Sequence, residues 1–152
     1  MSVTIWQILI ILGVLCIAIA GICLWLFRKP AEEPTLDELE GHDFEFYCAH
    51  LLERCGFQEV EVTRGSGDFG IDVLAEKDGI SYAIQCKRYD GPVGVRAVQE
   101  AYAGRDYYDC MVGAVMTNQY FTQPAVEAAR KLKILLWDRG YVESMEEEGK
   151  LI

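Results

Sequence analysis

Between Gly65 and Arg88 the sequence leaves the backbone few choices. Ile71-Asp72-Val73-Leu74-Ala75-Glu76 and Ile80-Ser81-Tyr82-Ala83-Ile84-Gln85-Cys86-Lys87 flank a turn at Lys77-Asp78-Gly79, and apolar residues alternate with others on both sides of it. That pattern predicts two short antiparallel strands, because Asp and Gly tolerate the positive φ of a tight hairpin turn. Side chains two apart on a strand share a face. Ile71, Val73 and Ala75 are therefore expected on one face and Asp72, Leu74 and Glu76 on the other. On the partner strand Ile80, Tyr82, Ile84 and Cys86 form the apolar set, which turns Gln85 and Lys87 the opposite way. If Asp72 shares that face, a carboxylate, an amide and an ammonium converge across neighbouring strands.

Such a trio can support phosphodiester hydrolysis. Asp72 offers a hard anionic oxygen to a magnesium ion, and the Gln85 side-chain carbonyl and the Cys86 backbone carbonyl complete the protein's share, with water filling the rest. Lys87 positions or deprotonates a water and offsets the charge that grows on the phosphate. Gly65, Gly67 and Gly70 let the backbone turn sharply and let a bulky polyanion approach. Taken alone, an Asp on one strand and a Lys on the next is more often a solvated cross-strand ion pair. The rest of the chain separates the two readings.

Gly41-His42-Asp43-Phe44-Glu45, Leu51-Leu52 before Gly56-Phe57, Gly67-Asp68-Phe69-Gly70-Ile71-Asp72, Gln85-Cys86-Lys87-Arg88-Tyr89, and Thr117-Asn118 before Phe121-Thr122 follow one another in order. Together they resemble the Mrr-like restriction endonuclease domain of the PD-(D/E)xK nucleases, in the branch where Gln replaces the acid of the last motif. The resemblance runs from about Leu39 to Tyr141. It implies a restriction-endonuclease-like α/β sandwich and a DNA substrate, and two-strand cutting by that chemistry implies a homodimer. By position it makes Asp72 and Gln85 metal-site residues and Lys87 the catalytic lysine. Glu45 becomes a helix-borne acid that binds or orients a second ion. With a neutral Gln85 the site holds magnesium, or manganese in its place, more weakly than an all-acid set, so substrate phosphate is expected to help bind the metal.

The remaining elements follow from periodicity. Asp43 to Cys55 is an amphipathic helix, with Phe44, Tyr47, Cys48, Leu51, Leu52 and Cys55 at helical spacing and Gly56 as its stop. Glu59 to Thr63 alternates as a strand, Val95 to Tyr108 returns to helical period, and Met111 to Met116 is an apolar central strand. Thr122 caps a helix with Pro124 in its first turn, and Ile134 to Trp137 forms the last strand. The predicted order is α-β-β-β-α-β-α-β in a three-layer α/β sandwich with a mixed sheet. Glu143 to Ile152 reads as a frayed acidic tail.

Val3 to Phe27 carries no charged residue and is rich in Ile, Leu, Val and Trp. About 20 such residues suffice to cross a bilayer, and Trp6 and Trp25 stand where interfacial anchors would. Ala18-Ile19-Ala20 resembles a signal-peptidase site, but the run is too long and lacks a basic n-region. The reading is a single-pass cell-membrane anchor, with Arg28 and Lys29 holding the C-terminal domain in the cytoplasm. Residues 28–40 form an acidic tether, with a helical turn capped by Thr35 and Glu38. Six cysteines without a CxxC pair or a Cys/His cluster read as buried thiols of a reducing compartment rather than as zinc ligands.

The net charge of −10 runs against the basic surface usual for DNA binders. Arg64, Arg88 and Arg96 remain as a local basic patch, with Gln99, Thr117 and Asn118 as further candidate contacts to nucleic acid. The expectation is weak, metal-assisted binding. The acidity also admits a second reading, a nuclease-fold module that binds nucleic acid or protein without cutting.

Overall fold

The computed structural model describes residues 4–26, 35–63, 67 and 69–150. The chain divides into two units, Met1–Glu33 and Pro34–Ile152. In the first, the apolar run forms a helix as expected, α1 (Ile5–Leu26). The membrane anchor itself is corrected: among the described residues no helix is long and apolar enough to cross a membrane. The single-pass, cell-membrane placement with a cytoplasmic domain therefore falls. Arg28 and Lys29, on which the orientation rested, lie outside the described residues, as do the Trp25 side chain and the first part of the 28–40 tether.

The second unit runs α2 (Gly41–Arg54), β1 (Gln58–Val62), β2 (Val73–Lys77), β3 (Ile80–Lys87), α3 (Val95–Tyr107), β4 (Val112–Thr117), α4 (Gln123–Leu132), β5 (Ile134–Trp137) and α5 (Arg139–Gly149). One five-stranded sheet holds the strands in sequence order. β1, β2 and β3 pair antiparallel, and β3, β4 and β5 pair parallel, so the sheet is mixed as expected. The change falls at β3, where short connections give way to helical crossovers. Asp78 and Gly79 both take positive φ, 54° and 76°, which is the left-handed pair a two-residue hairpin needs. Their turn sets Val73 opposite Ile84 and Ala75 opposite Tyr82. Thr35 and Glu38 also meet as expected, with the Thr35 hydroxyl and amide both donating to the Glu38 carboxylate at 3.0 and 2.9 Å.

Each face of the sheet carries its own core. Phe44, Leu51 and Leu52 of α2 and Val142 and Met145 of α5 pack with Val73, Ile84, Met116 and Trp137. On the other face Ala97, Val98 and Ala101 of α3 and Ala125 and Ala129 of α4 pack with Val115 and Ile134. The tail expected from Glu143 onward is instead most of α5. Asp138 caps it by accepting from the Tyr141 amide, and Tyr47 of α2 donates to Glu146 across the contact. Two apolar residues three apart were enough to fold an otherwise acidic segment onto the sheet.

Ile71 breaks the expected alternation. It is fully buried, but under α3 rather than beside Val73 and Ala75: a methyl group placed on Gly104 would come within 2.3 Å of Ile71 Cγ1. The cause lies just upstream, where Phe69 and Gly70 both have positive φ, 49° and 79°, and turn the chain before the strand begins.

Candidate active site

Asp72 stands at the mouth of β2, with its backbone held on both sides. Its amide donates to the Ile84 carbonyl at 2.9 Å, and its carbonyl accepts from the Thr63 amide at 2.9 Å. The side chain turns toward β3, where Oδ2 accepts from the Cys86 backbone amide at 2.6 Å and from Gln85 Nε2 at 3.0 Å. The carboxylate and the amide thus meet as the hairpin pattern expects. Burial raises the Asp72 pKa, the two hydrogen bonds pull it back in part, the charge of Glu45 adds to the rise, and Lys87 opposes it. The carboxylate is held in a place that resists its charge.

Gln85 is 2% exposed. Giving its NH₂ to Asp72 leaves its carbonyl oxygen, Oε1, buried without a hydrogen-bond partner among the described residues. Such an orphan acceptor costs free energy unless something else meets it. A Cβ at Gly70 would lie 3.2 Å from that oxygen and 3.0 Å from Glu100 Cβ, so glycine keeps the space beside the amide open. A buried oxygen with no donor, next to a carboxylate, is a donor set that suits a hard divalent cation. Among the described residues no group of three or more His, Cys, Asp and Glu could hold a metal by itself. Amide, backbone and substrate oxygens would have to supply the remainder.

Lys87 emerges at the end of β3 with its side chain 21% exposed, and its Nζ lies 3.1 Å from Glu100 Oε2 on α3. Glu100 also accepts from Arg96 Nε at 2.8 Å. Burial pushes the Glu100 carboxyl up, but Lys87 and Arg96 together hold it below its ordinary value, so it stays ionised beside the lysine. The sequence reading missed Glu100. The available signal was positional: a crossover helix that follows the lysine strand lies over its end, and Arg96 and Glu100 are one turn apart on it. Glu45 projects from the first turns of α2, partly buried, and shares a 2.8 Å hydrogen bond with His42 Nδ1. Its influence on Asp72 puts it in the same electrostatic neighbourhood.

The nucleic-acid candidates divide. Arg96 is largely exposed and Gln99 is exposed, both on α3. Arg88 is mostly covered, donating to Asp90 Oδ1 at 2.5 Å and to the Asp37 carbonyl. Thr117 and Asn118 are fully buried. The Thr117 hydroxyl accepts from the Gln119 amide, and Asn118 bonds the Tyr89 amide and carbonyl and the Asp37 carboxylate. Both residues lock loops together, and their polar groups are taken up inside the protein. Arg64 lies outside the described residues.

Residues 36–145 match the family model Mrr_cat, described as a restriction endonuclease. A solved protein of unknown function, AF1548, is similar at 28% identity and a TM-score of 0.61, covering 72% of this chain and 67% of that one. The DNA modification-dependent restriction endonuclease AspBHI is 17% identical with a TM-score of 0.53, over 72% of this chain and 31% of its own. The MspJI restriction endonuclease, solved with a 27-mer oligonucleotide, is 18% identical with a TM-score of 0.52, over 68% of this chain and 27% of its own. The likeness to those two large enzymes shows the fold, and this chain spans less than a third of each. No curated protein matches the chain.

Proposed function

The chain belongs to the Mrr_cat family of restriction endonucleases, and from that premise we propose that it is a magnesium-dependent DNA endonuclease whose centre is Asp72, Gln85 and Lys87, with Glu45 and Glu100 beside them. The observation that carries the reading is the buried Gln85 Oε1 without a partner next to the Asp72 carboxylate. Asp72, the Gln85 amide oxygen, the Cys86 carbonyl and, for a second ion, Glu45 would hold the magnesium. When bound, it supplies a polarised phosphate and a more acidic water. Manganese fits the same oxygen set.

The chain's own groups do the remaining work. Lys87 sits where its ammonium can meet charge growing on the phosphate and hold the attacking water. Glu100 fixes the direction of that ammonium through the 3.1 Å pair, a positioning role. Gly70 keeps the approach to Gln85 clear. Cutting both strands needs two such centres, supplied by a homodimer. Restriction of foreign or modified DNA is the biological use that suits this chemistry.

Plasmid cleavage by the full chain with magnesium, manganese or EDTA tests the proposal. Metal-dependent nicking should fall about a hundredfold or more in both Asp72→Ala and Lys87→Ala. Gel-shift binding without any cutting, indifferent to both substitutions, would instead establish the non-catalytic binding module.

A further inference from the structure

Three residues before Asp72, an aromatic ring stands out in solvent. Phe69 is 55% exposed and Tyr107, at the end of α3, 56%. Their rings stack with centroids 3.7 Å apart and planes 25° from parallel. Phe69 holds this place in the left-handed region, φ 49°, which is strained for a bulky side chain. Core packing does not account for a strained, exposed aromatic residue.

The stack is continuous with the candidate centre. Arg96, Glu100, Gly104 and Tyr107 follow at helical spacing along one face of α3. Glu100 contacts Lys87, Gly104 backs onto the Phe69 carbonyl and Ile71, and Tyr107 meets the Phe69 ring. From Glu100 to Tyr107 is about 10 Å along the helix, or roughly three nucleotide steps of a duplex strand. Charge points the same way. Arg88 and Arg96 are both engaged by acids, and the chain is strongly acidic, so phosphate contacts alone give little affinity. Exposed aromatic faces beside a phosphate-cutting centre supply what those contacts lack, because every base has a face to stack.

We propose that the Phe69–Tyr107 stack is a nucleobase platform that receives an unpaired base of the strand being cut. DNA with a locally unstacked base, at a mismatch, a flipped nucleotide or a single-stranded stretch, is then the preferred substrate over fully paired duplex. This rests on the endonuclease reading and names its substrate class.

The test uses the full chain and oligonucleotides carrying 2-aminopurine in a paired duplex, opposite a mismatch, or in a single strand, with calcium as the cation. Binding should quench the fluorophore in the unpaired contexts, and affinity for them should exceed that for paired duplex. Phe69→Ala and Tyr107→Ala should each weaken that binding roughly tenfold to a hundredfold and abolish the preference, while Phe69→Tyr keeps it. Phe69→Gly removes the ring and relieves the backbone strain together, so it separates loss of stacking from loss of fold. Equal affinity for paired and unpaired DNA, unchanged in these variants, overturns the platform even while Asp72-dependent nicking persists. Quenching that depends on Phe69 without any metal-dependent nicking would sink the endonuclease and leave the platform standing. A change of oligomeric state in Tyr107→Ala, with DNA binding intact, would show the stack to be a protein contact and overturn the proposal.

Discussion

The two faces of the sheet are filled in opposite ways. On the α2 side the core is made of large side chains, Phe44, Leu51, Leu52, Met116 and Trp137. Toward α3 the helices contribute mostly small ones, Ala97, Ala101, Ala125 and Ala129, beside Val98, Val115 and Ile134, and Gly104 and Gly113 take positions where even a methyl group would collide. Large apolar side chains remove more surface from water, so the α2 face gives most of the stability. Small ones let backbones approach, so the α3 face sets position. Glu100 reaches Lys87, and Gly70 reaches both Gln85 and Glu100, because nothing bulky separates α3 from the Phe69–Asp72 turn. One side buries most of the large apolar surface, and the other brings Gly70, Gln85, Glu100 and Lys87 close together.

Three substitutions would break or sharpen that division. The largest effect on stability is expected for Leu52→Ala, which opens a cavity on the α2 face at a cost of about 2–5 kcal/mol. Urea titration should show it, with the cleavage rate of the folded fraction near that of the parent. A loss of catalysis matching the loss of stability would undo the distinction. Gly104→Ala comes next, at about 1–3 kcal/mol from overpacking against Ile71 and the Phe69 carbonyl. Here nicking should fall far more than the melting temperature suggests, because the added methyl displaces the turn that carries Asp72. Retained activity would mean that close α3 packing is not what positions the site.

The smallest effect has the opposite sign. Burial raises the Asp72 pKa, so the folded state favours the protonated form. Stability from this group is therefore fullest below the unfolded-state value, near 3.9, and is lost as pH rises through the folded one. Asp72→Asn should accordingly raise stability at neutral pH by about 0.5–2 kcal/mol, read as a higher melting temperature, lose that gain in acid, and abolish cleavage. Destabilisation by Asn at neutral pH would show that the Gln85 and Cys86 bonds outweigh burial.

Much of the fold is legible in the amino-acid sequence, because its signals are local. The Asp78-Gly79 turn sets the hairpin register, and with it the meeting of Asp72 and Gln85, while Ile134 to Trp137 stands out as an unbroken apolar run. Relations between distant segments are hidden. Glu100 joins the site through a crossover of β3, α3 and β4 that no window of sequence contains. Ile71 leaves its expected face because a left-handed Phe69, invisible in composition, turns the chain. α5 is obscured by its acids, since only Val142 and Met145 announce it. Thr117 and Asn118 look like surface contacts in sequence, yet Asp37 and Tyr89 claim the Asn118 amide from far along the chain.

The outer strand carries a last consequence. β1 shifts register between Gln58 and Glu61, with Glu59 at φ 49°, and presents Glu59 and Glu61 to solvent. An irregular edge with two carboxylates repels a second copy that would add its own β1 alongside, since like charges would face each other across an imperfect ladder. The sheet therefore cannot grow from chain to chain through this border. Any pairing of two subunits for double-strand cutting would have to use another surface, the β5 edge, a helix or a loop.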